Sequence, residues 1–205
     1  MATQFNRPPL RTITDFKSKM AGGGARPNLF EVELVFPDPI AIENDVKEKS
    51  RFLVKAAQLP ASNITPIEVN FRGRILKIAG DRTFDTWTVT VINDEDFKLR
   101  TSFEQWMNQM SKLDNATGAT NPSSYMTDAY VYQLGRGQQK FSTENTDADS
   151  SVPLRTYRFY DIFPTNVSQI DLSYDTSDTI EEYTVEFQVQ YWQAEASDQT
   201  GTAVV

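Results

Sequence analysis

The sequence of 205 residues contains no cysteine and no histidine. Without cysteine, the chain has no disulfide, no thiol nucleophile and no zinc-finger ligand set. Without histidine, it lacks the commonest general base and metal ligand. An enzyme would need a site of Asp and Glu, or of Ser and Lys, and no motif supports either kind. We therefore predict that the chain is not an enzyme and carries no cofactor.

Long apolar runs are also missing. No stretch reaches the about 20 apolar residues that a membrane-spanning helix needs, so we expect no membrane insertion of the subunit. The N-terminal "MATQFNRPPLRTITDFKSKM" has no apolar stretch of the signal-peptide type. Glycine (9) and proline (10) are not enriched, and hydrophobic residues make up 39% of the chain. This composition is enough for a core, and the length fits a single domain over residues 1–205 or two small ones.

The chain is acidic, with a formal net charge of −8. This disfavours specific binding of nucleic acid, because affinity for phosphates comes from Lys and Arg. Residues 1–100 carry 15 basic and 13 acidic side chains, whereas residues 101–205 carry 5 basic and 15 acidic ones. Either the two halves project to opposite ends of the subunit and attract head to tail, or halves of the sequence do not map onto halves of the structure.

Strict alternation of apolar and polar residues marks the strands. In "YTVEFQVQYW" (183–192), Val185, Phe187 and Val189 alternate with polar residues, which predicts a strand with one apolar and one polar face. The stretch 84–93 has the same form, with Trp87 and Val91 inward. Further predicted strands cover 29–36, 51–60 (with Phe52, Val54 and Ala56 on one face), 66–80 (with Ile67, Val69 and Phe71 inward), 128–135, 154–163 and 167–175.

One segment has helical spacing. Residues 101–113 place Phe103, Trp106 and Met110 on one helix face, and Thr101 with Glu104 has the spacing of a capping box. The remaining segments are predicted to be irregular: an extended arm and loop at 1–28, a charged excursion at 40–50, a turn at Gly80-Asp81, loops at 114–123 and 140–153 (the second mobile), and a flexible tail at 194–205. The fold class is mainly β, with two packed antiparallel sheets, sandwich- or barrel-like, and one flanking helix.

Charged and aromatic clusters point to surfaces rather than to catalysis. Asp94–Asp96 and Glu181-Glu182 are carboxylate clusters, but their spacing matches no calcium loop, and acidic turns are the simpler interpretation. The run "FRGRILK" is either a solvated face or the basic side of an intersubunit salt bridge. The tyrosines cannot all face one core; some cover an interface, or the helix covers half of a sheet face. These tyrosines are Tyr130, Tyr132, Tyr157 and Tyr160.

Two stretches together resemble the tail tube proteins of contractile-tailed bacteriophages. They are "GRILKIAGDRTFDTWTVTVINDEDFKLRTSFEQWMNQM" (73–110) and "RFYDIFPTNVSQIDLSYDTSDTIEEYTVEFQVQYW" (158–192). The landmarks are the Gly80-Asp81-Arg82 turn, the strand with Trp87, the Asn93-Asp94-Glu95 turn before the helix, and Ser177-Asp178-Thr179 before the last strand. The resemblance covers about residues 29–110 and 125–193, and the order and spacing of these motifs make it specific.

The resemblance implies a function as well as a fold. It implies homohexameric rings that stack into a tube inside a contractile sheath, with sheath, baseplate and tail terminator proteins as partners. It further implies that DNA passes through the lumen without specific binding, and that the protein belongs to the virion after assembly in the host cytoplasm. An alternative is the inner tube of a secretion or contractile injection system. An alternative of another class is a monomeric β-barrel module that binds a ligand.

Two sets of candidate site residues follow. Polar faces of the alternating strands would line the bore: Thr86, Thr88, Thr90, Glu186, Gln188 and Gln190. Mixed charges suit a polar rim that sets register between subunits or rings, and the candidates are Glu43, Asp45, Lys47, Glu48 and Lys49 with Arg72 and Arg74. A plain solvent-exposed loop at 40–50 explains its charges equally well.

Overall fold

The computed structural model describes residues 11–20, 24–38, 40, 44–135, 153–175, 177–197 and 203–204. Within these ranges most of the regular structure is strand, and all strand pairs are antiparallel. The elements are α1 (Ile13–Lys19), β1 (Phe30–Leu34), α2 (Asn44–Leu53), β2 (Val54–Ala57), β3 (Ser62–Phe71), β4 (Arg74–Phe84), β5 (Trp87–Ile92), α3 (Lys98–Met110), a 3-10 helix (Pro122–Ser124), β6 (Thr127–Gln133), β7 (Arg155–Val167), β8 (Glu182–Gln188), β9 (Tyr191–Ser197) and β10 (Ala203–Val204).

The main sheet has two halves joined by β7. Its strand order is β1-β6-β7-β8-β5-β2, with β9 also paired to β7 and β10 paired to β9. The first part of β7 pairs with β6 and β9, and its last part, from Phe163 onward, pairs with β8. The change falls beside Asp161, whose φ of 52° lies in the left-handed region. In the described ranges β1 and β2 do not pair with each other, so the sheet does not close into a barrel.

The inward faces of both halves share one aromatic core, which confirms the predicted packing of two antiparallel layers. Trp87 of β5 stacks on Phe159 of β7, with ring centroids 4.5 Å apart and planes 10° apart. The ring centroid of Phe187 on β8 lies 5.3 Å from that of Trp87. Phe103 and Trp106 of α3 pack around the Phe187 ring. The alternation in 84–93 therefore identified the buried face of β5 correctly.

Helix α3 confirms the helical segment, but its start differs from the expectation. It begins at Lys98 and ends at Met110, three residues earlier at each end than predicted. The capping box at Thr101 is wrong, because Thr101 lies inside the helix. The N-cap is Phe97, with φ of 51° and no side-chain cap. Glu104 instead accepts a hydrogen bond from Arg100 one turn earlier.

Two further helices occupy segments that were expected to be irregular or extended. Helix α2 replaces most of the charged excursion at 40–50 and the start of the strand expected at 51–60, which shortens to β2. Val46 and Ser50 are buried one turn apart, so the period is helical although charges surround it. Phe52 points outward and is 77% exposed. Helix α1 lies inside the expected arm, with no buried residue.

The stretch 66–80 is not one core strand but parts of a hairpin, β3-β4. The chain reverses at Arg72-Gly73, whose φ values of 46° and 80° suit a two-residue type I′ turn. The turn expected at Gly80-Asp81 is wrong, because both residues lie inside β4. Gly80 is required there, since a Cβ would overlap the carbonyl oxygen of Thr65 on β3.

The C-terminal third also departs from the predicted strands. Past Val167, residues 168–175 contain no strand. The stretch 183–192 divides into β8 and β9, with Gln190 in the turn between them. Strand β9 runs to Ser197, so residues 194–197 are not part of a flexible tail. The loop expected at 140–153 falls, apart from its last residue, outside the described residues.

We expect Phe187→Ala to lower the free energy of unfolding by about 3–5 kcal/mol, because it removes a fully buried ring from the core. Phe52→Ala is the matched control: the same substitution at an exposed helix position should change stability by less than about 0.5 kcal/mol. Denaturant unfolding of the free subunit measures both. Equal losses would contradict the placement of the core.

Candidate assembly surfaces

A polar surface covers the outer side of the β5–β8 ladder, called here the outer ladder face. It contains Thr88, Thr90, Thr184, Glu186 and Gln188. Thr88 pairs with Glu186 and Thr90 pairs with Thr184 across the ladder. Directly paired residues point to the same side of a sheet, and the neighbouring residues Trp87 and Phe187 point into the core.

The structure places four of the six candidate bore residues on this face: Thr88, Thr90 and Glu186 in the β5–β8 pairing, and Gln188 at the end of β8, two residues after Glu186. Thr86 is exposed just before β5 begins, and Gln190 lies apart from them in the β8–β9 turn, where its N–H donates to the carbonyl oxygen of Tyr160. The sequence did not indicate Lys55 at the end of this face. Its ammonium group donates to the carboxylate of Glu182, so this cation is neutralised locally.

The hairpin β3-β4 has one apolar and one polar face. Ile67 pairs with Ile78 and Val69 pairs with Leu76, which places these side chains on one side. The pair Glu68–Lys77 lies on the other side and forms a salt bridge of 3.4 Å. We call the first side the hairpin apolar face; it consists of Ile67, Val69, Phe71, Leu76 and Ile78.

The hairpin apolar face is left in water by the single chain. Its five side chains are 43–65% exposed. The sequence grouped Ile67, Val69 and Phe71 correctly on one face, but the expectation that they point into the core of their own chain is wrong. The hairpin is tied to the main sheet at its base, where Phe84 lies edge-on to Trp192 at 6.4 Å.

Arg72 and Arg74, two of the predicted interface residues, lie at the tip of this hairpin. Arg72 occupies the turn, with its guanidinium 5.2 Å from the Phe71 ring. Arg74 pairs with Phe71 and therefore shares the apolar face. No carboxylate in the described part of the chain forms a salt bridge with either arginine.

The candidate residues of segment 43–49 have separate surroundings. Lys49 donates to Asp94 at 2.7 Å and to Asp96 at 2.8 Å, so it ties α2 to the turn before α3. These hydrogen bonds raise the pKa of Lys49, and the bond from Lys49 lowers the pKa of Asp96. Lys47 and Glu48 are exposed on α2. Glu43 falls outside the described residues, as does the side chain of Asp45.

A row of tyrosines and one arginine covers the outer side of β6, β7 and β9. The Arg158 guanidinium lies 5.5 Å from the ring of Tyr130 and 4.5 Å from that of Tyr160. Tyr160 stacks on Tyr191 with centroids 4.4 Å apart. Tyr157 points to the other side, toward Trp192. The sequence missed Arg158, although its position between Tyr157 and Tyr160 was the available signal.

No group of three or more acidic side chains in the described ranges is arranged to hold a metal ion. Of the helices described, none has the length and apolar character needed to cross a membrane. The described residues instead form three candidate assembly surfaces: a polar sheet face, a projecting apolar hairpin and an aromatic row.

Comparison with known proteins identifies relatives that match most of this chain. The family model described as "Phage tail tube protein" matches residues 25–195. "Tail tube protein gp19" of Enterobacteria phage T4 is 32% identical over 173 residues, which is 84% of this chain and 93% of gp19.

Solved structures share the fold at much lower identity. A chain in the cryo-EM structure of the anti-feeding prophage baseplate has a TM-score of 0.58 at 13% identity, covering 85% of this chain and 97% of that chain. A chain in the sheath–tube complex of an extracellular contractile injection system (PVC) in its extended state has a TM-score of 0.53 at 14% identity, covering 87% and 97%. At these identities the likeness concerns the fold alone.

We expect Lys49→Ala to lower the melting temperature, whereas Lys47→Ala, the same change at an exposed position on α2, leaves it unchanged. The difference in melting temperature between the two variants should vanish in acid. A carboxyl group whose pKa is lowered in the folded state stabilises that state at pH values above its ordinary pKa of about 3.9. That contribution is lost as the pH falls through the lowered pKa of Asp96. Thermal melts of both variants across the acid range test this, and a constant difference would contradict it.

Proposed function

Since the chain belongs to the phage tail tube protein family, we propose that it assembles into hexameric rings that stack as the inner tube of a contractile tail. The match of residues 25–195 and the 32% identity to a phage T4 relative establish the family, and the protein is a structural component of the phage tail. We further propose contacts with sheath, baseplate and terminator proteins, and no enzymatic activity.

The single observation that supports assembly most strongly is the hairpin apolar face. Burial of one large aliphatic or aromatic side chain is worth about 1.5–3 kcal/mol, and five such side chains remain 43–65% exposed here. Exposed apolar clusters of this kind mark protein–protein contacts. A neighbouring subunit that covers this face would gain several kcal/mol at every repeat of the contact. The alternative function, a monomeric ligand-binding module, does not explain why an apolar hairpin face is exposed to solvent.

The outer ladder face is the proposed wall of the bore. Threonine, glutamine and glutamate side chains there present hydroxyl, amide and carboxylate groups, and the lysine at its end is bonded to Glu182. DNA phosphates are held by Lys and Arg, so a wall of this composition lets the genome pass without holding it. Thr86 and Gln190 would lie at the margin of this wall.

Of the predicted rim residues, Arg72 and Arg74 are the strongest candidates for contacts between subunits. Both lie at the hairpin tip, and no carboxylate among the described residues forms a salt bridge with either of them. Lys49 already bridges two aspartates within the chain, so we assign it to holding α2 in place. Lys47 and Glu48 stay available for a neighbour.

Replacing Val69 and Leu76 together by Asp should abolish tube formation while the free subunit stays folded, because two charges then occupy the face that a neighbour must cover. The matched control is Glu68→Gln with Lys77→Gln on the polar face of the same hairpin, which should still form tubes. Negative-stain microscopy and sedimentation at rising concentration measure assembly, and circular dichroism checks the fold. Normal tubes from the Val69/Leu76 variant would contradict the proposal.

Replacing Thr88 and Gln188 by Lys should slow DNA ejection from assembled particles, and added salt should relieve the effect, because cations on the bore wall would bind phosphates. Ser111→Lys with Thr120→Lys adds the same charge at exposed positions just beyond α3 and serves as the control. The rate of DNA release after triggering is the measurement. Equal rates in both variants would place the outer ladder face outside the bore.

A further inference from the structure

The hairpin and a second exposed segment leave the main sheet at opposite ends of the β5–β8 ladder. Trp87 pairs with Phe187 at one end, and Ile92 pairs with Glu182 at the other. The hairpin leads into β5 at its Trp87 end. The segment between β7 and β8, residues 168–181, of which the structure describes all but Thr176, leads into β8 at its Glu182 end. We call this segment the acidic loop.

The acidic loop combines negative charge with exposed apolar side chains. It contains Asp171, Asp175, Asp178 and Glu181 and no Lys or Arg. Leu172 is 80% exposed, and Tyr174 and Ile180 are also exposed. Among the described cations, none forms a salt bridge with the three aspartates.

Both ends of the acidic loop are fixed to the body of the subunit. The Ser168 N–H donates to the carbonyl oxygen of Thr184, and the Arg100 guanidinium donates to the carbonyl oxygen of Ser168. At the other end, the Asn93 N–H donates to the carbonyl oxygen of Glu181, and the Asn93 side chain donates to the Glu181 carboxylate. The loop is therefore presented from fixed points at the end of the sheet.

The hairpin tip has the complementary character. It carries Arg72 and Arg74, neither of which has a carboxylate partner in the described chain, beside an apolar face that the chain leaves in water. The aspartates of the acidic loop form no salt bridge within the described chain, and the apolar side chains beside them are also exposed. Within one chain the two surfaces stay exposed, so they do not cover each other.

We propose that the hairpin of one subunit docks on the acidic loop of a second copy, with Arg72 and Arg74 facing Asp175 and Asp178. This rests on the proposed tube function and names the surface that receives the hairpin. Because the two surfaces differ and lie at opposite ends of the ladder, the contact is heterologous. Contacts of this kind either close into a ring or continue in one direction, and between stacked subunits they give every copy the same direction along the stack. Opposite charges also select this orientation over the reverse one.

Charge reversal on each side tests the pairing. The hairpin variant is Arg72→Glu with Arg74→Glu, and the loop variant is Asp175→Lys with Asp178→Lys. Like charges facing each other cost several kcal/mol at an interface, so each variant alone should raise the protein concentration needed for tube growth by about tenfold or more. Sedimentation and negative-stain microscopy measure this concentration, and circular dichroism confirms that each free subunit is folded.

Combining the reversals should restore growth. A chain that carries all four substitutions should form tubes near the wild-type concentration. An equimolar mixture of the two double variants should do so too, because each acidic hairpin then meets a basic loop. The single change Asp175→Lys should also raise the concentration needed for tube growth, whereas its control Asp114→Lys, at an exposed aspartate after α3, should assemble like the wild type.

The outcomes separate this inference from the proposed function. If the wild type never forms tubes, the proposed function itself fails. If the wild type forms tubes and the loop variant does so equally well, the function stands and the acidic loop is not the receiving surface. Failure of both the four-substitution chain and the mixture, with both double variants folded, would likewise overturn the pairing. A folded variant with Asp175→Asn and Asp178→Asn removes the charges without reversing them. If it forms tubes at a concentration between those of the wild type and the loop variant, the pairing is supported.

Discussion

The hydrophobic effect acting on one hairpin is the constraint on which the function depends. A two-stranded hairpin that carries Ile67, Val69 and Leu76 on one face cannot bury them by itself, and the body of the chain leaves them exposed. The core around Trp87, Phe159 and Phe187 is complete without the hairpin. The subunit therefore separates two tasks: the body has a core of its own, and the hairpin leaves an apolar surface that we propose is covered by another chain.

The same separation explains the remaining surfaces. Because side chains alternate along β5 and β8, one strand pair provides both the core, through Trp87 and Phe187, and the polar outer ladder face. The hairpin enters this ladder at one end and the acidic loop at the other, so a single short ladder fixes the distance and direction between the two surfaces. The proposed stacking depends on this arrangement, since the hairpin of each copy would contact the acidic loop of the next.

Alternation in the sequence was enough to predict the layers but not what covers each face. It identified the buried side of β5 and the helix that carries Phe103 and Trp106, because these residues lie in regular elements with a clear period. It failed at Phe52, where a strand pattern overlaps the end of α2, and at Ile67, which lies on a hairpin face that the chain leaves exposed. Of the candidate bore residues, Thr88 and Glu186 lie together because their strands pair. Gln190 lies apart from them because the chain turns after β8.

The most direct measurement is a cryo-EM reconstruction of tubes grown from the purified protein. We expect the side chains of Ile67, Val69 and Leu76 to be buried against a neighbouring subunit, while the outer ladder face lines a central bore. A reconstruction in which the hairpin apolar face stays in contact with solvent, or in which the subunits meet only through other surfaces, would contradict the assignment of the hairpin as the assembly element.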